Sequence, residues 1–245
     1  MPIDLDYPLA AEITRNVAAA LAEDIGAGDL TASLIPADRV ARARVISREA
    51  GVLCGRSWFD RCVTSLDPDA EITWNAADGD RITADQLLCE IRANARALLS
   101  AERSALNFLQ LLSGTATVTR KYVDAIAGTQ AMIVDTRKTL PGLRLAQKYA
   151  VRCGGGANHR LGLYDGILIK ENHIMASGGV APVLAQARKL APPDRSRGRS
   201  SRPPARNRAS SKPCSALPAR RDRGVSPAAP GAPHRGPRSR GRRRP

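Results

Sequence analysis

The sequence holds no apolar run near the roughly 20 residues that a membrane-spanning helix requires. Its N-terminus also lacks a basic stretch followed by an apolar one, so insertion and export are not expected and a cytoplasmic location is. Aromatic residues are scarce, with two Trp, two Phe and four Tyr in 245 residues, so any core must be built mostly from aliphatic side chains. Cysteine is sparse and odd in number: Cys54, Cys62, Cys89, Cys153 and Cys214 form no Cys-x-x-Cys pair, and only three histidines accompany them. That spacing argues against a disulfide framework and against a zinc cluster, so no metal ligands are expected in the protein. Cys153 reads as a small buried packing residue.

Acidic residues are lacking in one place above all. Residues 194 to 245 carry 15 Arg and one Lys against Asp194 and Asp222, a net of +14 out of +15 for the whole chain. The same segment has nine prolines, no Phe, Trp or Tyr, and only Leu217 and Val225 as sizeable aliphatics. It cannot bury enough apolar surface to offset chain entropy, and it reads as a disordered basic tail. Clustered arginine attracts nucleic-acid phosphates without regard to sequence, so nonspecific nucleic-acid binding is the alternative function class. The absence of stacking aromatics limits that reading. Arg, Pro, Ala, Gly and Ser are also what an out-of-frame reading of a GC-rich gene yields, and a frameshift after about residue 193 is the expectation.

The first 193 residues are patterned as a folded α/β protein. Leu9, Ile13, Val17 and Leu21 make one apolar helix stripe, with Gly26 and Gly28 behind it. Short strand-like segments follow at 44–47, 51–54, 71–74 and 87–91, separated by Gly, Asp and Pro. A helix through Leu99, Leu106, Leu109 and Leu112 is expected to stop at Ser113-Gly114, and a second to carry Val118, Tyr122 and Ile126. A last helix should run through Val180, Val183, Leu184, Ala187 and Leu190.

The richest stretch is 135–172. Met132-Ile133-Val134 and Gly166-Ile167-Leu168-Ile169 are too short for helices and read as buried parallel strands, with a helix over 142–151 between them. Each run empties into basic side chains, at Asp135 to Lys138 and at Lys170 to Asn172, and ligands of α/β folds sit at the carboxyl ends of parallel strands. Seven cations (Arg137, Lys138, Arg144, Lys148, Arg152, Arg160 and Lys170) face three anions (Asp135, Asp165 and Glu171) across the stretch. Arg144, Lys148 and Arg152, spaced four apart, read as a solvated helix face. Arg137, Lys138 and Lys170 instead stand where only an anion would satisfy them. The Gly154-Gly155-Gly156 approach to His159 suggests backbone closing on a ligand.

Asp135-Thr136-Arg137-Lys138-Thr139-Leu140-Pro141-Gly142, then Arg152-Cys153-Gly154-Gly155-Gly156, Asn158-His159-Arg160-Leu161 and Lys170-Glu171-Asn172-His173 closely resemble quinolinate phosphoribosyltransferases. The resemblance extends to Glu23-Asp24-Ile25-Gly26 and Glu102-Arg103-Ser104, and ends near residue 193. It implies an N-terminal α/β sandwich domain over 1–113, an incomplete α/β barrel over 114–193, and the tail over 194–245. It implies phosphoribosyl transfer from phosphoribosyl pyrophosphate, carried with Mg²⁺, to quinolinate, with decarboxylation to nicotinate mononucleotide. The family's substrate-binding residues fall on Arg103, Thr136, Arg137, Lys138, His159, Arg160 and Lys170. Arg137, His159 and Arg160 would grip the two carboxylates, Lys138 and Lys170 would act catalytically where acceptor and donor meet, and Arg103 would reach across a homodimer interface. An unfinished barrel exposes strand edges, so the chain as written is expected to be poorly stable and weakly active.

Overall fold

A computed structural model of the protein describes residues 9–190. Its first helix, α1 (Leu9–Ile25), buries Val17 and Leu21 of the predicted stripe. After a single 3-10 turn at Ala32–Leu34 comes β1 (Val40–Ile46), whose alternating exposure is that of a sheet with one wet face. β2 (Gly51–Val52) leads into α2 (Arg56–Leu66), a helix not among the expected elements. β3 (Glu71–Trp74), β4 (Arg81–Ile82) and β5 (Leu87–Asn94) follow. The strands form an antiparallel three-stranded sheet ordered β1-β5-β3 and a β2-β4 pair.

A 31-residue helix, α3 (Ala95–Ala125), comes next, about 46 Å long at 1.5 Å per residue. Asn94 caps it by accepting from the amides of Arg96 and Ala97. The expected break at Ser113-Gly114 does not occur. Gly114 is exposed with open space where a Cβ would stand, and the cost of about 1 kcal/mol for a mid-helix glycine does not stop a helix packed along its length. The boundary expected between the first two domains thus lies inside one unbroken helix. It buries Ala101, Ala105, Leu109, Leu112 and Ala116, while Val118 and Tyr122, expected on one helix stripe, are exposed at 52% and 61%.

The core joins these elements around Trp58 of α2, which is fully buried. Its indole N–H donates to Asn16 Oδ1 at 3.1 Å, and its ring lies 5.5 Å from that of Tyr149 on α4 (Arg144–Cys153). Asn16 and Arg15 both donate to the Gly142 carbonyl, fixing the turn that starts α4. Thr117 and Ser113 on α3 accept from the amides of Val52 and Cys54. Two more helices, α5 (Glu171–Ala176) and α6 (Val180–Leu190), end the described region.

The two expected buried strands are the largest departure. Val134 makes a lone parallel bridge to Ala157, and residues 166–169 form no strand, leaving Ile167 and Leu168 almost half exposed. A parallel strand is buried only when neighbours cover both edges and both faces. No described residue after 157 pairs with these segments. The basic tail and the suspected frameshift lie outside the described residues.

Candidate active site

The site is organised by a carboxylate that the sequence reading left without a role. Asp135 sits directly after the bridge residue Val134 and is almost fully buried, with 7% of its side chain exposed. Its Oδ1 accepts from Lys148 Nζ at 2.5 Å and from the His159 amide at 2.8 Å, while Oδ2 accepts from Asn158 Nδ2 at 2.7 Å. Lys148 also donates to the His159 carbonyl, and Asn158 to the Lys148 carbonyl. Lys148 is therefore not part of a solvated helix face: it is fully buried, and its charge is spent inside the protein. A buried ion pair persists only when its remaining donors and acceptors are satisfied, and here they are.

This network sets the segment 135–138 beside 158–160. Backbone hydrogen bonds from the Asp135 amide to the Ala157 carbonyl and from the Ala157 amide to the Ile133 carbonyl complete the alignment. Arg144 latches the surrounding loops, donating to Thr139 Oγ1 and to the Leu161 carbonyl at 3.2 Å each. Of the three cations read as a solvated stripe, only Arg152 is exposed.

The glycines do different work from that expected. A Cβ on Gly154 would meet the Ala116 carbonyl and Thr119 Cβ at 2.6 Å, and one on Gly156 would meet Val151 at 2.8 Å. They let the end of α4 press against α3, and only Gly155, at φ +88°, serves the turn itself.

The structure brings Thr136, Arg137, Lys138, His159 and Arg160 onto the two adjoining segments. Thr136 Oγ1 accepts from the Lys138 amide and stiffens the first. Arg137 is half-buried, and its Nε is fully buried with no hydrogen-bond partner. Arg160 donates through Nη1 to the Gly166 carbonyl at 2.7 Å, which orients its guanidinium and leaves other donors unspent. Lys138 and the His159 ring are exposed. Lys170 ends the 166–169 segment that Arg160 holds, and its amide donates to His173 Nδ1. Burial pushes the Asp165 carboxyl up, but the amides of Leu161 and Gly162 and the Lys148 charge outweigh it, holding it below the usual carboxylate range.

Arg103 stands apart. It is exposed on α3 and opens onto a cleft of about 170 Å³ lined by Glu23, Asp24, Asn107, Phe108 and Leu143, with no residue of 135–138 or 158–160. Glu102 forms no ion pair with it among the described residues.

The N-terminal domain of quinolinate phosphoribosyl transferase matches residues 29–113, and the C-terminal domain of the same enzyme matches residues 115–196. The chain belongs to the quinolinate phosphoribosyltransferase family. A Mycobacterium leprae protein named nicotinate-nucleotide pyrophosphorylase (carboxylating) is 44% identical over 196 residues, covering 77% of this chain and 67% of its own length. A Bacillus subtilis protein named "Probable nicotinate-nucleotide pyrophosphorylase (carboxylating)" is 44% identical over 169 residues, covering 69% of this chain. The chain spans 58% of that relative's length. Among solved structures, the nicotinate-nucleotide pyrophosphorylase from Francisella tularensis superposes with a TM-score of 0.72 at 49% identity, covering 76% of this chain and 65% of that one. NadC from Streptococcus pyogenes gives 0.73 at 43% identity, covering 77% and 67%.

Asp135, Lys148, Asn158 and Arg144 are the residues that sequence reasoning missed as organisers. The available signal was Asp135 itself, a lone acid at the end of an apolar run and surrounded by cations.

Proposed function

We propose that residues 135–170 bind the pyridine dicarboxylate quinolinate, and that the whole protein transfers a phosphoribosyl group to its ring nitrogen from phosphoribosyl pyrophosphate. The observation that carries this reading is the buried, unpartnered Nε of Arg137, on the segment that Asp135 ties to the His159 amide. An unsatisfied buried donor costs about 1–3 kcal/mol, which a carboxylate in the site would recover. Guanidinium groups fit carboxylates through paired N–H donors, and a dicarboxylate uses two such forks where a monocarboxylate uses one.

In this reading Arg137, His159 and Arg160 hold the two carboxylates and turn the ring nitrogen outward. Lys138 and Lys170 stand where negative charge leaves with pyrophosphate, and they stabilise it electrostatically. The ring nitrogen forms its bond to the ribosyl carbon as the bond to pyrophosphate breaks. The resulting cationic ring accepts the electron pair released when the 2-carboxylate departs as carbon dioxide, and a proton replaces it.

Mg²⁺ enters the proposal as the donor's counter-ion. The described carboxylates do not fit a protein-held Mg²⁺ at the cluster. Asp135 is already neutralised by the buried Lys148 ammonium, and among the described residues no three metal-ligating side chains of the 135–172 stretch converge. A homodimer supplying Arg103 across its interface is part of the proposal, supported by that exposed guanidinium beside the acidic Glu23 and Asp24 cleft. Cytoplasmic location is likewise proposed, in keeping with four buried cysteines present as free thiols; no described helix is long and apolar enough to cross a membrane. Nothing in the comparisons or the described residues favours nucleic-acid binding.

Competition calorimetry tests the acceptor. Quinolinate should displace nicotinate and not the reverse; equal affinity for the two acids would contradict the reading.

A further inference from the structure

Far apart in sequence, Cys54, Asp78 and Cys153 converge. Cys54 follows β2, Asp78 lies in the turn between β3 and β4, and Cys153 is the last residue of α4. Their two sulfurs and a carboxylate oxygen all lie within 4.8 Å of one another. Both cysteines are buried, at 0% and 2% exposure.

Each donor is held in place by its surroundings. The Cys54 amide donates to Ser113 Oγ at 2.9 Å, and the same hydroxyl donates back to the Cys54 carbonyl at 3.1 Å. The Cys153 carbonyl accepts from Arg120 Nη2 at 3.4 Å. Asp78 accepts from the Tyr149 hydroxyl through Oδ2 at 2.8 Å and from the Arg56 amide through Oδ1 at 3.2 Å. That Tyr149 contact is the kind of supporting hydrogen bond that orients a carboxylate ligand. Arg56 and Arg120, which reach Asp78 through the Arg56 amide and the Cys153 carbonyl through Arg120 Nη2, each carry a buried Nε with no partner.

We propose that Cys54, Asp78 and Cys153 form a structural site for a thiophilic divalent cation of the zinc class, with a water as fourth ligand. Tetrahedral Zn²⁺, with bonds of about 2.3 Å to sulfur and 2.0 Å to oxygen, spaces its ligand atoms about 3.5–3.8 Å apart, within the observed limit. Binding releases the two thiol protons to solvent. The cation then faces two thiolates and one carboxylate, a net single negative charge beside Arg56 and Arg120. Two thiols alone would suffice for a disulfide, which gains nothing from a buried carboxylate between them. A cation uses all three. The bound ion would join β2 and α2 to the end of α4, anchoring the Gly154 turn that leads to Asn158 and His159. This inference does not depend on the proposed substrate.

The test is Co²⁺ titration of the full chain, stripped with a chelator and held under a non-thiol reductant. A thiolate-to-cobalt charge-transfer band should saturate at one Co²⁺ per chain and be displaced by Zn²⁺. It should vanish in Cys54→Ser and Cys153→Ser and persist in Cys62→Ser and Cys214→Ser. Should the serine variants fail to fold, Asp78→Asn retains an acceptor for Tyr149, and it should keep the band while weakening Co²⁺ binding at least 10-fold. No band in the parent chain overturns the proposal. So does a band unchanged in Cys153→Ser, unchanged affinity in Asp78→Asn, or a disulfide already joining Cys54 to Cys153 in the purified protein.

Discussion

Replacing Lys148 by methionine isolates the network that builds the site. Methionine keeps the stem's volume and apolar packing but removes the ammonium that donates to Asp135 and to the His159 carbonyl. The variant leaves a carboxylate that is 7% exposed with two donors, Asn158 Nδ2 and the His159 amide, and no counter-charge. Breaking one side of a buried ion pair costs about 3–5 kcal/mol. Against a typical total of about 5–15 kcal/mol, that is a large share of the stability of the whole fold. Urea denaturation followed by tryptophan fluorescence measures it, because Trp58 packs on Tyr149 in the same helix as Lys148. Asp135→Asn restores neutrality in the double variant, so the two changes together should cost less than their sum by about 1–3 kcal/mol. A Lys148→Met chain within about 0.5 kcal/mol of the parent would mean that the buried pair does not hold the site together, since that is the scale of an ordinary surface change.

Further outcomes follow from the contacts and burial of single residues. Arg160→Ala should weaken quinolinate binding at least 10-fold in calorimetry, losing both a carboxylate donor and the Gly166 contact. Gly154→Ala should destabilise the chain by about 1–3 kcal/mol in chemical denaturation, because its Cβ would press on the Ala116 carbonyl and Thr119 at 2.6 Å. Burial pushes the Cys62 and Cys89 thiols from 9.0 to about 12, so both should resist alkylation at pH 9 in the native protein and react on unfolding. Since the native thiols hold their protons more tightly than unfolded ones, stability should fall as pH rises from 9 towards 12. Asp29 is held below its usual value of 3.8 by the Ala32 amide first and then by the Ser100 hydroxyl. Its contribution is present above pH 3.8 and lost as pH falls through the native value, so Asp29→Asn should flatten the acid limb of a denaturation profile.

The sequence was legible where one period ran without competition. The α1 stripe, the helix after Pro141 and the last helix through Val183 all appear near their expected places. Legibility failed where tertiary packing decided. Gly114 signals a break, yet α3 continues because the helix is supported on both sides of it. Ile167 and Leu168 carry the residue types of a buried strand, but burial comes from neighbours, and among the described residues they have none to pair with. For the site, the motif located the segments, while the roles of the charges depended on contacts. Arg152 is solvated and Lys148, four residues earlier on the same helix, is not. Spacing along one helix cannot show that Asp135 meets Lys148 from another segment.

The unspent guanidinium of Arg137 is the group proposed to take a substrate carboxylate. Isothermal titration of quinolinate into the chain and into Arg137→Ala measures it directly. Saturable heat with one quinolinate per chain is expected, with at least a 10-fold loss of affinity in the variant. Absence of heat with the parent chain, or equal affinities for the two, would contradict it.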